Sequence, residues 1–273
     1  QEMLDAFSFL PLEQSYEIVV KATNDINNKI ESYNLFPNQL FTPRDNFMDK
    51  YGTPSMAEAV KKITYDNALK LYGFSDENKV KRLPNEVESR IVQELDSIIG
   101  NGFASIYYIS HMLVEYSHQN GYIVGSRGSV GSSFVATMMK ITEVNPLKPH
   151  YLCPNCQFSV FKPSNGTQNN IHLLPSDAQA SILCVSAGQD LIESHCPHCG
   201  SKLNRDGVDI PFETFLGING EKSKVPDIDL NFSGDFQERA HLFCREVFGL
   251  DNAFRAGTIS TVADRTAYGF VRG

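Results

Sequence analysis

The chain has 273 residues, 41% hydrophobic and 21% charged, an ordinary globular composition with length for one large domain or two small ones. It contains no apolar run of about 18 residues and no visible secretory signal, so a chain without membrane contact, working in the cytoplasm, is expected. The formal net charge of −8 weighs against a phosphate-gripping surface on this chain, since such contacts need Lys and Arg.

The pattern predicts a helix over 13–33, with Tyr16, Val19, Val20, Ile26 and Ile30 apolar, and a loop over 37–55 punctuated by Pro37, Pro43, Gly52 and Pro54. A second helix is expected from Met56 to Tyr72, ending at Gly73, with Ala59, Val60, Ile63, Ala68 and Leu71 inward. Asn85 and Glu88 resemble a capping box ahead of a third helix striped by Val87, Ile91, Leu95 and Ile98 and stopped by Gly100 and Gly102. A fourth, over 104–119, carries Ile106, Ile109, Met112, Leu113 and Tyr116 and ends at Gly121.

The pattern then changes. Tyr122-Ile123-Val124 reads as a short buried strand running into a glycine–serine loop, Gly125 to Ser133, followed by a helix over 134–141. Residues 149–208 hold two CxxC pairs around a polar stretch, Ser164 to Asn170, that reads as a mobile loop. Pro226 to Phe232 is expected as a strand. Two further helices should follow, one through Cys244 and one starting near Gly257-Thr258. The chain opens at Gln1 without an initiator methionine and closes at Gly273 inside a helically spaced run of Val262, Thr266 and Phe270, so a fragment of a longer protein is expected.

Three features suggest chemistry. Cys153/Cys156 and Cys196/Cys199 present two thiolates each at the bite that tetrahedral Zn²⁺ prefers. Four thiolates close the site, so the zinc would be structural. His195 and His198 stand near enough in sequence to substitute as ligands, and a redox pair or unliganded surface cysteines are the bland alternatives. Cys184 and Cys244 fall outside the pattern. In the glycine–serine loop, Ser126, Arg127, Gly128, Ser129, Gly131 and Ser132 supply amides, hydroxyls and a guanidinium of the kind that cradle phosphate, helped by the start of the next helix. It is not a Walker A loop, because no GK[ST] follows. On strand 226–232 the period of two sends Asp227 and Asp229 to one face, about 7 Å apart at the backbone, and Ile228 and Leu230 to the other. Such a pair suits two Mg²⁺ ions clamping a phosphoryl transfer. Loop and acid strand in one α/β unit describe a nucleotidyltransferase site.

The stretch Gly125-Ser126-Arg127-Gly128-Ser129-Val130-Gly131-Ser132-Ser133-Phe134-Val135-Ala136 resembles the glycine–serine motif of the bacterial C-family replicative DNA polymerases. Val225-Pro226-Asp227-Ile228-Asp229-Leu230-Asn231-Phe232 is similar to their first catalytic aspartate motif. The cysteine insertion between them looks like the PolC type rather than the shorter DnaE type. Glu2 to Phe7, Ile98 to Ala104 and Ala256 to Ile259 fit the same type, so the resemblance covers the chain. It departs most at 157–195, in length and composition.

The resemblance implies an α+β fold: a polymerase-beta-like palm, a mixed sheet with flanking helices, carrying a zinc-binding insertion. Its parts would be a helical lead-in over 1–84, palm over 85–148, insertion over 149–208, the acid strand over 209–233 and the start of the thumb over 234–273. It implies transfer of deoxynucleotides from dNTPs to a primer 3′-OH with two Mg²⁺ ions, Asp227 and Asp229 being two of three catalytic acids and the third lying beyond Gly273. The implied partners are primer–template DNA, dNTPs and, through regions outside this chain, replisome subunits such as the sliding clamp. Two rivals stand beside this reading: a zinc-ribbon nucleic-acid-binding module without catalysis, and a nucleotidyltransferase acting on RNA or small nucleotides.

Overall fold

The computed structural model describes residues 1–32, 43, 45, 48, 52, 54–75, 80–163, 170–216, 226–257 and 261–272. Most of the expected 37–55 loop, the polar stretch 164–169, Val225 and residues 258–260 lie outside them. The chain divides into two compact units, Gln1–Thr42 and Pro43–Gly273.

The first unit holds α1 (Glu2–Ala6), α2 (Leu12–Tyr16), a π-helical stretch (Glu17–Ala22) and α3 (Thr23–Asn27). The helix expected over 13–33 thus ends at Asn27, where consecutive asparagines favour leaving the helix. Val19 and Val20 are half-buried, while Tyr16, Ile26 and Ile30 are exposed. The Ser15 hydroxyl donates to the Phe7 carbonyl at 2.9 Å and joins α2 to the turn after α1.

In the second unit, α4 (Met56–Tyr72) starts where the Ser55 hydroxyl accepts the Glu58 amide at 3.2 Å. Its inward face is Met56, Ala59, Val60, Thr64, Ala68 and Tyr72. Ile63 is half-buried and Leu71 is 46% exposed, so Tyr72 takes the place expected for Leu71. Gly73 then leaves the helix with its amide on the Leu69 carbonyl at 3.1 Å, and a Cβ there would stand 2.2 Å from that oxygen. A small antiparallel pair follows, β1 (Phe74–Ser75) with β2 (Lys81–Arg82).

The third helix, α5 (Asn85–Gly100), buries the expected Val87, Ile91, Leu95 and Ile98, each side chain contributing about 1.5–3 kcal/mol of transfer free energy. The capping box does not form. Pro84 holds the cap position, its carbonyl accepting the amides of Val87 and Glu88, and the Glu88 carboxylate accepts the Tyr65 hydroxyl at 3.1 Å instead. α6 (Ala104–Gln119) has the expected bounds but a different buried face: Tyr107, Tyr108 and Val114 with Ala104, Ser105, Ser110 and Ser117. Ile106, Ile109, Met112, Leu113 and Tyr116 are half-buried. Packing on two sides, against α4 and the later α10 (Gly234–Phe248), spreads burial around this helix rather than along one stripe.

β3 (Val124–Arg127) lies later than expected, with Ile123 79% exposed. A 3₁₀ turn, Gly128–Ser132, leads into α7 (Phe134–Met138). Then comes a second, smaller core. β4 (His150–Leu152) is flanked by β5 (Ser159–Phe161) and β6 (Asn204–Asp206), both antiparallel to it, with α8 (Ser176–Cys184) alongside in sequence. Tyr151 and Val160 join Phe158, Leu174, Ile182, Leu191 and Leu203 in that core, whereas Leu152 and Phe161 belong to the main one. Every residue of β4 is buried because the strand has a core on each face.

The chain re-enters the main core through Phe212 and Phe215, the latter on α9 (Glu213–Leu216). β7 (Asp229–Phe232), α10 and α11 (Asp264–Arg272) follow. The last helix begins at Asp264 rather than near Gly257, after the β-branched pair Thr261-Val262. The architecture is α+β, and the strands described form three small antiparallel sheets where one mixed sheet was expected. Residues 85–138 are spent mainly on helices, leaving β3 and β7 as the pair next to the acid residues. Among the described residues no helix is long and apolar enough to cross a membrane.

Candidate functional site

The four cysteines meet. β4 delivers Cys153 at its end, and the chain turns back so that the Cys153 amide donates to the Phe158 carbonyl at 2.7 Å. The second pair sits in a matching turn, in which the Cys196 amide donates to the Ser201 carbonyl at 2.8 Å. Gln157 and Gly200, each following the second cysteine of its pair, adopt φ of 60° and 72°, so the two turns share a left-handed exit. All four sulfurs lie within 4.8 Å of one another, with Cys153 and Cys199 Sγ 3.4 Å apart and Cys156 and Cys196 Sγ 3.5 Å apart. These are free thiols, well beyond the ~2.05 Å of a disulfide.

The group could hold one metal ion, and among the described residues the side chains gathered there for it are four cysteines. His198 packs its ring on Phe158 at 4.6 Å, and His195 sits in a bridge to Lys202. Burial pushes the Cys156 thiol up to about 12 and Cys196 in the same direction, while the Ser201 hydroxyl and amide pull Cys199 down to about 6. As thiolates, four sulfurs this close would need a cation to offset their charge.

The glycine–serine segment and the acid strand also meet. β3 and β7 pair antiparallel with Gly125 opposite Asn231, Ser126 opposite Leu230 and Arg127 opposite Asp229. Cross-strand partners share a face. Asp227, Asp229 and Asn231 are exposed, and Ile228 and Leu230 are half-buried against the main core, so the alternation expected for this segment is present. Strand pairing begins only at Asp229, because β3 ends opposite it, and Pro226 to Ile228 precede the ladder. Gly128 turns the chain at φ 81°, and a Cβ there would lie 3.9 Å from Asp229 Oδ2. Arg127, Gly128 and Asp229 are therefore immediate neighbours.

Two other members of the loop, Ser126 and Ser132, turn inward. Ser126 shares the inner face with Leu230, and its hydroxyl donates to Thr142 Oγ1 at 2.8 Å. Ser132 is buried and its hydroxyl donates to the Ser129 carbonyl at 2.7 Å. The start of α7 is occupied as well. Phe134 and Val135 donate their amides to the Glu94 carboxylate, both at 2.9 Å, and Ala136 donates to Ser133 Oγ at 3.2 Å. The amides of the helix N-terminus expected to assist phosphate binding are already taken by the Glu94 carboxyl group.

Glu94 is the residue that reading by motif misses. It is fully buried on α5, with Arg90 one turn before it at 2.5 Å. Burial pushes its carboxyl up, and Arg90 and the two backbone amides oppose that shift. The sequence did hold a signal: position 94 falls on the inward stripe with Val87, Ile91 and Ile98, where an acid needs buried partners.

Residues 58–271 match the family described as Bacterial DNA polymerase III alpha NTPase domain. The chain is 50% identical over 272 residues to the DNA polymerase III PolC-type of Halalkalibacterium halodurans, covering 100% of this chain and 16% of that protein. It is 51% identical to the DNA polymerase III PolC-type of Staphylococcus epidermidis and 49% identical to that of Streptococcus pyogenes serotype M3, with the same coverage. It thus spans about one sixth of the length of these relatives, 16% in each case. With 214 of its residues inside one family match, the chain belongs to the bacterial DNA polymerase III alpha NTPase-domain family.

Proposed function

We propose that this chain forms part of the catalytic core of a PolC-type replicative DNA polymerase, contributing the first palm segment around β3 and β7. The observation that carries this reading is the register that sets Arg127 and Gly128 against Asp229. Asp227 and Asp229 would hold two Mg²⁺ ions, and their exposed carboxylates supply the hard oxygen donors that Mg²⁺ takes. When bound, the metals supply an activated primer 3′-OH and charge neutralisation on the leaving diphosphate. Arg127, opposite Asp229 in the ladder, would supply a cation to the phosphates, and the backbone at Gly128 and Ser129 offers amides at the start of the 3₁₀ turn, where such groups lack acceptors within the turn. Primer–template DNA and dNTPs would be the substrates, and replisome subunits such as the sliding clamp would engage regions outside this chain.

Residues 149–208 read as a zinc-binding insertion, its Cys153, Cys156, Cys196 and Cys199 closed around a structural Zn²⁺. Residues 234–273 read as the start of the thumb. The test is single-nucleotide incorporation by the full-length polymerase. Asp227→Asn and Asp229→Asn should each lower turnover by about a thousandfold or more, with primer–template affinity kept. Near-normal turnover in both would favour the rival reading, a zinc-ribbon binding module.

A further inference from the structure

We propose that Glu94 is a positioning residue for the incoming nucleotide: its carboxylate takes the amide site at the start of α7, leaving a triphosphate only the Arg127–Gly128 end of the turn. The inference rests on the site proposed above and adds which part of that site receives the phosphates.

The geometry is complete on both oxygens of the acid. Oε1 accepts Arg90 Nε at 2.5 Å and the Phe134 amide at 2.9 Å. Oε2 accepts the Ser133 hydroxyl at 2.8 Å and the Val135 amide at 2.9 Å. All four partners donate, so the ionised acid satisfies them and a protonated one would set its own hydrogen against a donor. Tyr107 adds a further link, its hydroxyl donating to Ser133 Oγ at 2.9 Å. The buried acid thus takes the place that an anion takes at the start of an accessible helix.

Arg90 extends the clamp to the turn itself. Its Nη2 donates to the Ser132 carbonyl at 2.6 Å and to the Ile210 carbonyl at 2.9 Å. One guanidinium therefore ties α5 to the end of the 3₁₀ turn and to the chain returning from the cysteine-bearing segment. The buried end of the turn, Ser132 to Val135, is held at every residue by this pair. Among the described residues the Glu94–Arg90 pair makes no hydrogen bond to the Arg127–Gly128 end, which is held by the β3–β7 ladder opposite Asp229. An error of about an ångström at the fixed end would carry through to the amides and guanidinium that meet the phosphates.

The experiment uses the full-length polymerase carrying Glu94→Gln, Arg90→Lys or Ser133→Ala, with Arg127→Ala and Asp229→Asn alongside. It measures KM for dNTP and kcat separately, the Kd for primer–template, bound zinc and the melting temperature. Glu94→Gln and Arg90→Lys should raise the KM for dNTP about tenfold or more, and Ser133→Ala severalfold, with primer–template Kd and zinc content unchanged. Folded Glu94→Gln or Arg90→Lys protein with wild-type KM overturns the proposal. So does a fall in kcat alone, which a merely structural lesion would give. Should Glu94→Gln fail to fold, the Arg90 and Ser133 variants decide by the same readings. If Arg127→Ala and Asp229→Asn also leave KM and kcat at wild-type values, the proposed site itself has failed. If those two are impaired while the clamp variants are not, the positioning role alone has failed.

Discussion

Gly128 shows how much one residue contributes to the candidate site. Its φ of 81° lies in the left-handed region, and the space above its Cα opens toward Asp229 Oδ2, 3.9 Å from a notional Cβ. Gly128→Val would add about 1–2 kcal/mol of backbone strain and set a branched side chain beside the acid. The expected outcome is a raised KM for dNTP in the full-length polymerase, with little change in the Kd for primer–template. Gly73 is constrained differently, by space rather than by φ. A methyl group there would overlap the Leu69 carbonyl at 2.2 Å, so Gly73→Ala should lower stability by about 2 kcal/mol or more, read as a shifted denaturant midpoint.

At the scale of elements, the cysteine-bearing segment has its own core, and two of its buried members are the proposed ligands Cys153 and Cys196. If the proposed zinc binds, metal binding and core formation would be one event: among the described residues, strands of three residues and one nine-residue α-helix bury too little surface to hold the thiols together unaided. Elemental analysis of the reduced protein should find about one zinc per chain. Cys153→Ser should abolish it and expose the segment to proteolysis while α4 to α7 stay folded. Retention of zinc by that variant would show that the four thiols are not the ligand set. The spacing of the motif was enough to expect these four cysteines together, and the structure does bring them together. The motif did not show that β4 faces two cores, since a run of three buried residues has no periodicity to read.

At the scale of the second unit, a buried polar chain joins the main core to the cysteine-bearing segment. The Tyr72 hydroxyl lies 3.0 Å from His150 Nε2 and accepts Asn145 Nδ2 at 2.8 Å, and Asn145 Nδ2 reaches Asp206 Oδ2 at 2.7 Å. His150 Nδ1 faces the Lys148 carbonyl at 2.7 Å, so Nδ1 carries the hydrogen and neutral Nε2 accepts from Tyr72. Tyr72→Phe should cost about 1–3 kcal/mol by leaving buried partners unmatched. Burial holds the His150 imidazole below its ordinary value, against the opposing pull of the Lys148 carbonyl and Asp206. Below about pH 6.5 the unfolded chain then binds a proton that the folded chain refuses. Stability should rise with pH through that window, and its loss on acidification should level off once the folded imidazole is also protonated. Urea titrations between pH 5 and 7.5 check this, and a flat profile would remove His150 as the cause.

By itself the sequence determined what short-range geometry encodes: the bounds of α4, α5 and α6, the two cysteine knuckles, and the alternation that turns Asp227 and Asp229 away from Ile228 and Leu230. Each depends on a helical or strand period, or on the bite of a metal, within a few residues. Only the tertiary structure decided the rest. It turned Ser126 and Ser132 inward, paired β3 with β7 across the cysteine-bearing segment, and brought Glu94 to the amide of Phe134, 40 positions away. Those outcomes depend on which buried donors lack acceptors once helices have packed, a condition that no local spacing states.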